Sequence, residues 1–327
     1  MNELAQLRID RDWLRLDIDR ISSDAKKAKL FPYDEKFASP EYLAMMGETN
    51  EKTEKMLARY YELDLALKGP EHFSRENVYV WGGPTPSWGG SMDKDASLKA
   101  KEYFDVDNVM YVYGPLNEEM VALHKDCRKL LCHLGSNCRT EGAIAASDVE
   151  EAEALSKFSL QYPNIVGGVV DDIACNYGVN YSIKEYKAIY EALHKHNPDL
   201  ELFGVVYSWE LDKKELPAMA GFIDHVILWV WRKTDLIELD MAVEKCRLIF
   251  PGKPIMLGIF MFDYGDMALP NSPATMLYHL EKARRHLAAG KIQEIVILGD
   301  REVEKCPEAA EFIRTYLQKE FAFSEQK

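Results

Sequence analysis

Positive charge is scarce in this chain: 40 Lys and Arg stand against 54 Asp and Glu, for a net charge of −14 over 327 residues. With no basic excess to neutralise phosphates, a nucleic-acid partner or an anionic membrane surface is not expected. Long apolar runs are missing as well; none approaches the roughly 20 residues that a membrane-spanning helix needs. The six cysteines (Cys127, Cys132, Cys138, Cys175, Cys246, Cys306) form no CxxC pair and no zinc-like spacing, so Cys127, Cys132 and Cys246 read as buried free thiols in apolar or helical surroundings. Of the eight histidines only His133 and His225 fall near apolar runs. That is too few for a His-rich catalytic metal centre, although carboxylate-bound Mg or Ca stays open. No apolar run carries an internal lysine, which disfavours a Schiff-base aldolase. No GxGxxG turn or other glycine-rich phosphate cradle is present, so phosphorylated substrates, dinucleotides and flavin are not indicated. No cofactor is expected. The N-terminus, MNELAQLRIDRDW, has no apolar h-region. The protein reads as cytoplasmic as written, and as secreted or periplasmic if a leader has been removed. Nothing in the composition sets an oligomeric state.

What is present is a repeated pattern. Residues 2–28 and 49–67 carry apolar side chains near a period of 3.6, separated by a break over 31–40, and read as a helical extension over 1–75. Packing against the main domain or capping the bottom of a barrel is the role expected of it. From residue 76 to 327 the pattern becomes short apolar runs alternating with amphipathic segments. The runs are NVYVWGG, NVMYVYG, KLLCHLG, NIVGGVVDD, LELFGVVYSWE, DHVILWVWR, PIMLGIFMFDYG and EIVILGDRE. Helices are predicted over 96–103, 117–126, 147–162, 182–196, 211–220, 234–250, 273–289 and 307–321. Capping boxes at Ser147/Glu150 and Ser182/Glu185 and prolines at 273 and 307 support the helix starts. Eight such units are what an α/β (β/α)8 TIM barrel needs to close, here with an N-terminal helical extension. A doubly wound open sheet is the alternative, and the WGGPTPSWGG stretch after the first run does not supply its phosphate turn.

In a parallel barrel the carboxyl ends of the strands share one mouth. Those ends supply Trp81, Tyr113, His133, Asp171, Asp172, Tyr207, Trp209, Glu210, Trp229, Trp231, Asp263, Tyr264, Asp300 and Arg301, with Trp88, Asn137, Arg139 and Glu141 in the loops. The mouth is therefore acidic and aromatic, which suits a carbohydrate: ring C–H faces stack on Trp and Tyr, and cleavage of a glycosidic bond uses a pair of carboxyl groups. Asp171, Asp172, Asp263 and Glu210 are the catalytic candidates; Trp81, Tyr113, His133, Tyr207, Trp209, Trp229, Trp231, Tyr264, Asp300 and Arg301 are the substrate-binding ones. Asp171 and Asp172 are adjacent, so strand alternation sends one of them into the mouth and the other away.

Strands ending in GGVVDD and LGIFMFDYG among aromatic-tipped neighbours resemble the glycoside-hydrolase-like (β/α)8 barrels over residues 77 to 322. The resemblance implies a hydrolase acting on an O-glycosidic bond. In the best known clan of these enzymes the acid/base and the nucleophile are glutamates at the ends of strands four and seven, where this chain has Asp171 or Asp172 and Asp263. Glu210 is the substitute acid. A non-catalytic carbohydrate-binding barrel and a metal-dependent lyase or isomerase are the alternatives.

Overall fold

A computed structural model describes residues 3–32, 38–64, 73–84, 93–135, 147–176 and 182–322. Two long helices, α1 (Glu3–Lys27) and α2 (Pro40–Asp64), come first. The second starts nine residues before the expected position because Ser39 Oγ accepts the Tyr42 N–H at 3.2 Å and Pro40 occupies the first turn, where its missing N–H does no harm.

Eight parallel strands follow: β1 Val78–Gly82, β2 Asn108–Tyr111, β3 Lys129–His133, β4 Ile165–Val170, β5 Glu201–Tyr207, β6 His225–Trp229, β7 Ile255–Phe260 and β8 Glu294–Leu298. Each pairs with its chain neighbours, and β8 closes on β1 with Ile295 opposite Val78 and Leu298 opposite Trp81. Between them run α3 Ala96–Phe104, α4 Glu118–Leu123, α5 Asp148–Phe158, α6 Ile183–Leu193, α7 Leu239–Ile249 and α8 Pro273–Ala288, with α9 Pro307–Glu320 last. The predicted helix over 211–220 is the main difference. It shrinks to one turn, Leu216–Met219, because Pro217 lacks the N–H that would continue a helix begun at 211.

The strands read as continuously apolar because both faces are covered. Val78 and Val80 of β1, Val226 and Leu228 of β6, and Ile295 and Ile297 of β8 belong to the outer cluster against the helices. Tyr79, Trp81, Ile227, Trp229, Val296 and Leu298 alternate with them and fill the interior. Strand β7 has Gly258 among its inward positions, between Met256 and Phe260. A Cβ there would lie 2.0 Å from the Trp229 ring, so the glycine is what lets the indole cross the barrel. Cys127, Cys132, Cys246 and Cys306 are buried cysteines outside any disulfide, as read for the first three; burial pushes Cys127 up to about 11, which keeps it unreactive.

The helical extension does not cap the bottom of the barrel. It lies along units six and seven and reaches the loops at the carboxyl ends of the strands. Ile18, Ala25, Tyr42 and Met46 pack on Met267 and Leu269 of the β7–α8 loop. Arg11 pairs with Glu238 at 2.6 Å, Arg15 with Asp235 at 3.2 Å, and the buried Lys233 with Glu54, which also accepts from Ser272 Oγ at 2.6 Å. These partners all belong to the segments that follow β6 and β7, so the hairpin clamps one side of the mouth.

Gly258→Ala is expected to lower stability by about 1–3 kcal/mol, the usual cost of overpacking a filled core, and to change the near-UV circular dichroism by displacing Trp229. Urea denaturation and that spectrum check it; an unchanged midpoint with an unchanged spectrum would mean the ring has room to move.

Candidate functional site

The β4 strand ends at Val170, and Asp171 continues the inward series from Val169. The next residue breaks the alternation: Asp172 has φ 52°, a left-handed backbone that aspartate tolerates better than most residues. Both carboxyls therefore line the same cleft, where strand periodicity predicted one. Asp171 Oδ1 accepts the Asp172 N–H at 2.9 Å, and the Tyr207 hydroxyl from β5 donates to Asp172. The Oδ1 atom of Asp172 is buried with no hydrogen-bond partner among the described residues. Burial raises the Asp171 pKa well above the usual carboxylate range, and the neighbouring Asp172 and Glu210 add to it. Burial also raises Asp172, with the Tyr207 hydrogen bond opposing it.

Glu210 stands behind this pair. It is fully buried, accepts the Tyr207 N–H at 3.0 Å, and pairs with Lys213 at 2.9 Å. It faces Asp171 and Asp172 electrostatically without lining the cleft.

Aromatic rings form most of the remaining wall, enclosing about 620 Å³ with the open mouth included. Trp81 Nε1 donates to the Tyr113 hydroxyl at 2.9 Å, and its ring meets that of Trp229 edge-on at 5.8 Å. Trp229 lies 4.3 Å from Phe260, Trp231 meets Tyr207 at 5.2 Å, and Trp231 stacks on Tyr264 at 5.8 Å. Leu298 and Arg301 complete the lining. Trp209 lies just outside it, 48% exposed and stacked on Tyr207 at 6.2 Å. His133 is buried at the end of β3, also off the lining. Trp88, Asn137, Arg139 and Glu141 fall outside the described residues. Phe260 and Leu298 escaped the sequence reading, although counting inward positions along β7 (256, 258, 260) and β8 (296, 298) finds both.

The opposite side of the mouth is organised differently. Arg301 is bound by Glu302 at 2.6 Å and donates to the Tyr264 hydroxyl at 2.7 Å. Asp300 accepts the backbone N–H groups of Gly83 at 2.9 Å and Arg301 at 2.8 Å, which ties β8 to β1; burial, then Glu302, raises its pKa to about 6. Asp263 is not brought to the cleft. Phe262–Asp263 pairs antiparallel with Leu269–Pro270, and the Asp263 carboxyl accepts the N–H groups of Asp266 at 3.0 Å and Met267 at 2.9 Å, closing that turn. It borders a smaller, separate void with Lys233, Asn271 and His279. Burial, then Asp266, raises its pKa to about 7. Among the described residues no three His, Cys, Asp or Glu side chains are gathered as a metal site.

No protein-family model and no curated protein matches the sequence. Solved structures that it resembles include the Bacillus cereus spore cortex-lytic enzyme SleL (10% identity, 80% of this chain and 76% of that one, TM-score 0.48). A putative chitinase A from Streptomyces coelicolor (10%, 75% and 99%, TM-score 0.46) is another. So is an intracellular xylanase from Thermoanaerobacterium saccharolyticum (17%, 71% and 89%, TM-score 0.45).

A carboxyl whose folded pKa lies above its unfolded value stabilises the fold below that unfolded value, and the contribution is lost as pH rises through the folded one. For Asp263 the window runs from about 4 to about 7, and for Asp300 from about 4 to about 6. The thermal midpoint is therefore expected to fall as pH rises across this range, and Asp263→Asn, which keeps one acceptor oxygen, to flatten the fall. A series of melting curves in buffers of matched ionic strength measures it; a midpoint that climbs over the window would contradict the assignment.

Proposed function

We propose that this protein acts on a carbohydrate at the C-terminal mouth of its barrel by glycoside-hydrolase-like chemistry, with the Asp171–Asp172 pair as its source of protons. One observation carries the reading: two desolvated carboxyls share a cleft otherwise walled by tryptophan, tyrosine and phenylalanine faces. Sugar rings stack on such faces, and a carboxyl whose desolvation favours the protonated form is what a general acid requires. The Asp172 carboxyl, which lines the cleft beside Asp171, protonates the leaving glycosidic oxygen. The carboxylate left on Asp172 stabilises the positive charge developing at the sugar's anomeric carbon and takes a proton from the water that adds there, while Asp171 stays protonated beside it. Glu210 holds the Tyr207 backbone and disfavours a second negative charge on the pair. Tyr113, Tyr264, Asp300 and Arg301 serve ligand binding and the shape of the mouth. Asp263 acts through the turn that it closes.

Retaining and inverting glycosidases place carboxyls on both sides of the scissile bond, about 5 or about 6.5–9.5 Å apart. Here the carboxyls lining the cleft, among the described residues, come from one wall. That observation favours a second reading, a carbohydrate-binding barrel without turnover.

Asp172→Asn is expected to lower turnover of the responsive member of a glycan panel by about 10²–10⁴-fold while sugar binding, followed by tryptophan fluorescence, persists. Asp171→Asn should lose activity as well. Full turnover in both variants would sink the assignment of the acid. A wild-type protein that binds oligosaccharides but releases no reducing ends would establish the binding barrel.

A further inference from the structure

A neutral sugar would leave the acidic wall of this cleft without a counter-charge. Asp171, Asp172 and Glu210 stand together at the ends of β4 and β5. Lys213, the lysine beside them, is engaged by Glu210 Oε1 at 2.9 Å and by the Ala174 carbonyl at 3.2 Å. Arg301 belongs to the other wall, where Glu302 and the Tyr264 hydroxyl hold its guanidinium. The rings of Tyr207, Trp229 and Trp231 line the cleft with the acidic wall, and aromatic rings attract cations. Carboxylates set among π faces are an arrangement that binds ammonium groups more strongly than hydroxyls.

We infer that the carbohydrate bound here carries a protonated amine, a 2-amino-2-deoxy sugar with its nitrogen unacetylated, and that the ammonium docks between the Asp171–Asp172 pair and the tryptophan faces. This inference rests on the carbohydrate reading above. The Asp171–Asp172 pair lines the cleft and receives the ammonium through a charge-assisted hydrogen bond, stronger than one from a sugar hydroxyl. The cation also makes ionisation of one carboxyl favourable. The pair then holds one negative charge and one proton, which keeps a proton available for the leaving oxygen. N-acetylation removes the charge and adds bulk at the same position, so the acetylated sugar loses both the ion pair and the cation–π contact.

Isothermal titration calorimetry on the full-length protein at pH 6, where the amine is cationic, tests this. The probes are glucosamine, N-acetylglucosamine and glucose, together with their β-1,4-linked tetramers. The amine forms are expected to bind at least about tenfold tighter than the glucose forms, the equivalent of about 1.4 kcal/mol, and added salt should shrink the advantage. In Asp172→Asn the three tetramers should come within about threefold of one another. If the acetylated or hydroxyl forms bind as tightly as the amine, the amine inference is overturned and the carbohydrate reading stands. If none of the six probes binds, both fall. The comparison among ligands needs only the wild-type protein, so a variant that fails to fold does not blunt it.

Discussion

Eight parallel strands closed into a ring enclose a space that side chains have to fill, and the way this chain fills it governs the rest of the molecule. Val, Leu, Ile and Met occupy many of the inward positions, but Trp81, Trp229, Phe203 and Phe260 take up disproportionate volume near the axis. Room for the largest of them comes from a neighbouring strand, where Gly258 leaves the surface on which Trp229 lies. The upper layer of the plug is consequently aromatic. The floor and walls of the cleft are the exposed side of the packed core, so binding surface and core share the same rings.

That aromatic layer also sets the electrostatics. Carboxyls at the ends of β4 and β5 are surrounded by rings rather than by water, and desolvation is the first cause of the raised pKa at both Asp171 and Asp172. The like charge of Glu210 works in the same direction. On the far side of the mouth Arg301, Glu302 and Tyr264 neutralise one another through short hydrogen bonds, which leaves the two walls unequal in charge. A chain with net charge −14 thus sets two of its carboxyls, Asp171 and Asp172, against apolar surface in this cleft.

The N-terminal helices extend the same economy outward. Their contacts fall on the segment after β6 and on the loop after β7, including the buried Lys233–Glu54 pair. Removing one member of such a pair is typically far more destabilising than replacing both, so the hairpin is bound to those loops rather than resting on them. The loop after β7 carries Asp263 and Tyr264, and its conformation therefore depends on residues more than 200 positions earlier, such as Tyr42 and its hydrogen bond to the Met267 carbonyl.

The sequence alone determined the barrel, because uninterrupted apolar strands followed by capped amphipathic helices are local patterns, and eight of them leave few ways to bury both strand faces. Because parallel strands all end on the same side, it also placed Trp81, Tyr113, Tyr207, Trp229, Trp231, Tyr264 and Arg301 at the mouth, while missing Phe260 and Leu298 and adding His133, Trp209, Glu210 and Asp263, which lie off the cleft lining. Which carboxyls share a cavity was decided by the tertiary structure. Strand periodicity separates Asp171 from Asp172, but one left-handed residue past the end of β4 brings them together. Asp263 follows an apolar run just as they do, yet the antiparallel pairing of Phe262–Asp263 with Leu269–Pro270 turns its carboxyl onto backbone N–H groups. Both outcomes depend on backbone turns fixed by contacts distant in sequence, and a side-chain pattern read along one strand carries no record of them.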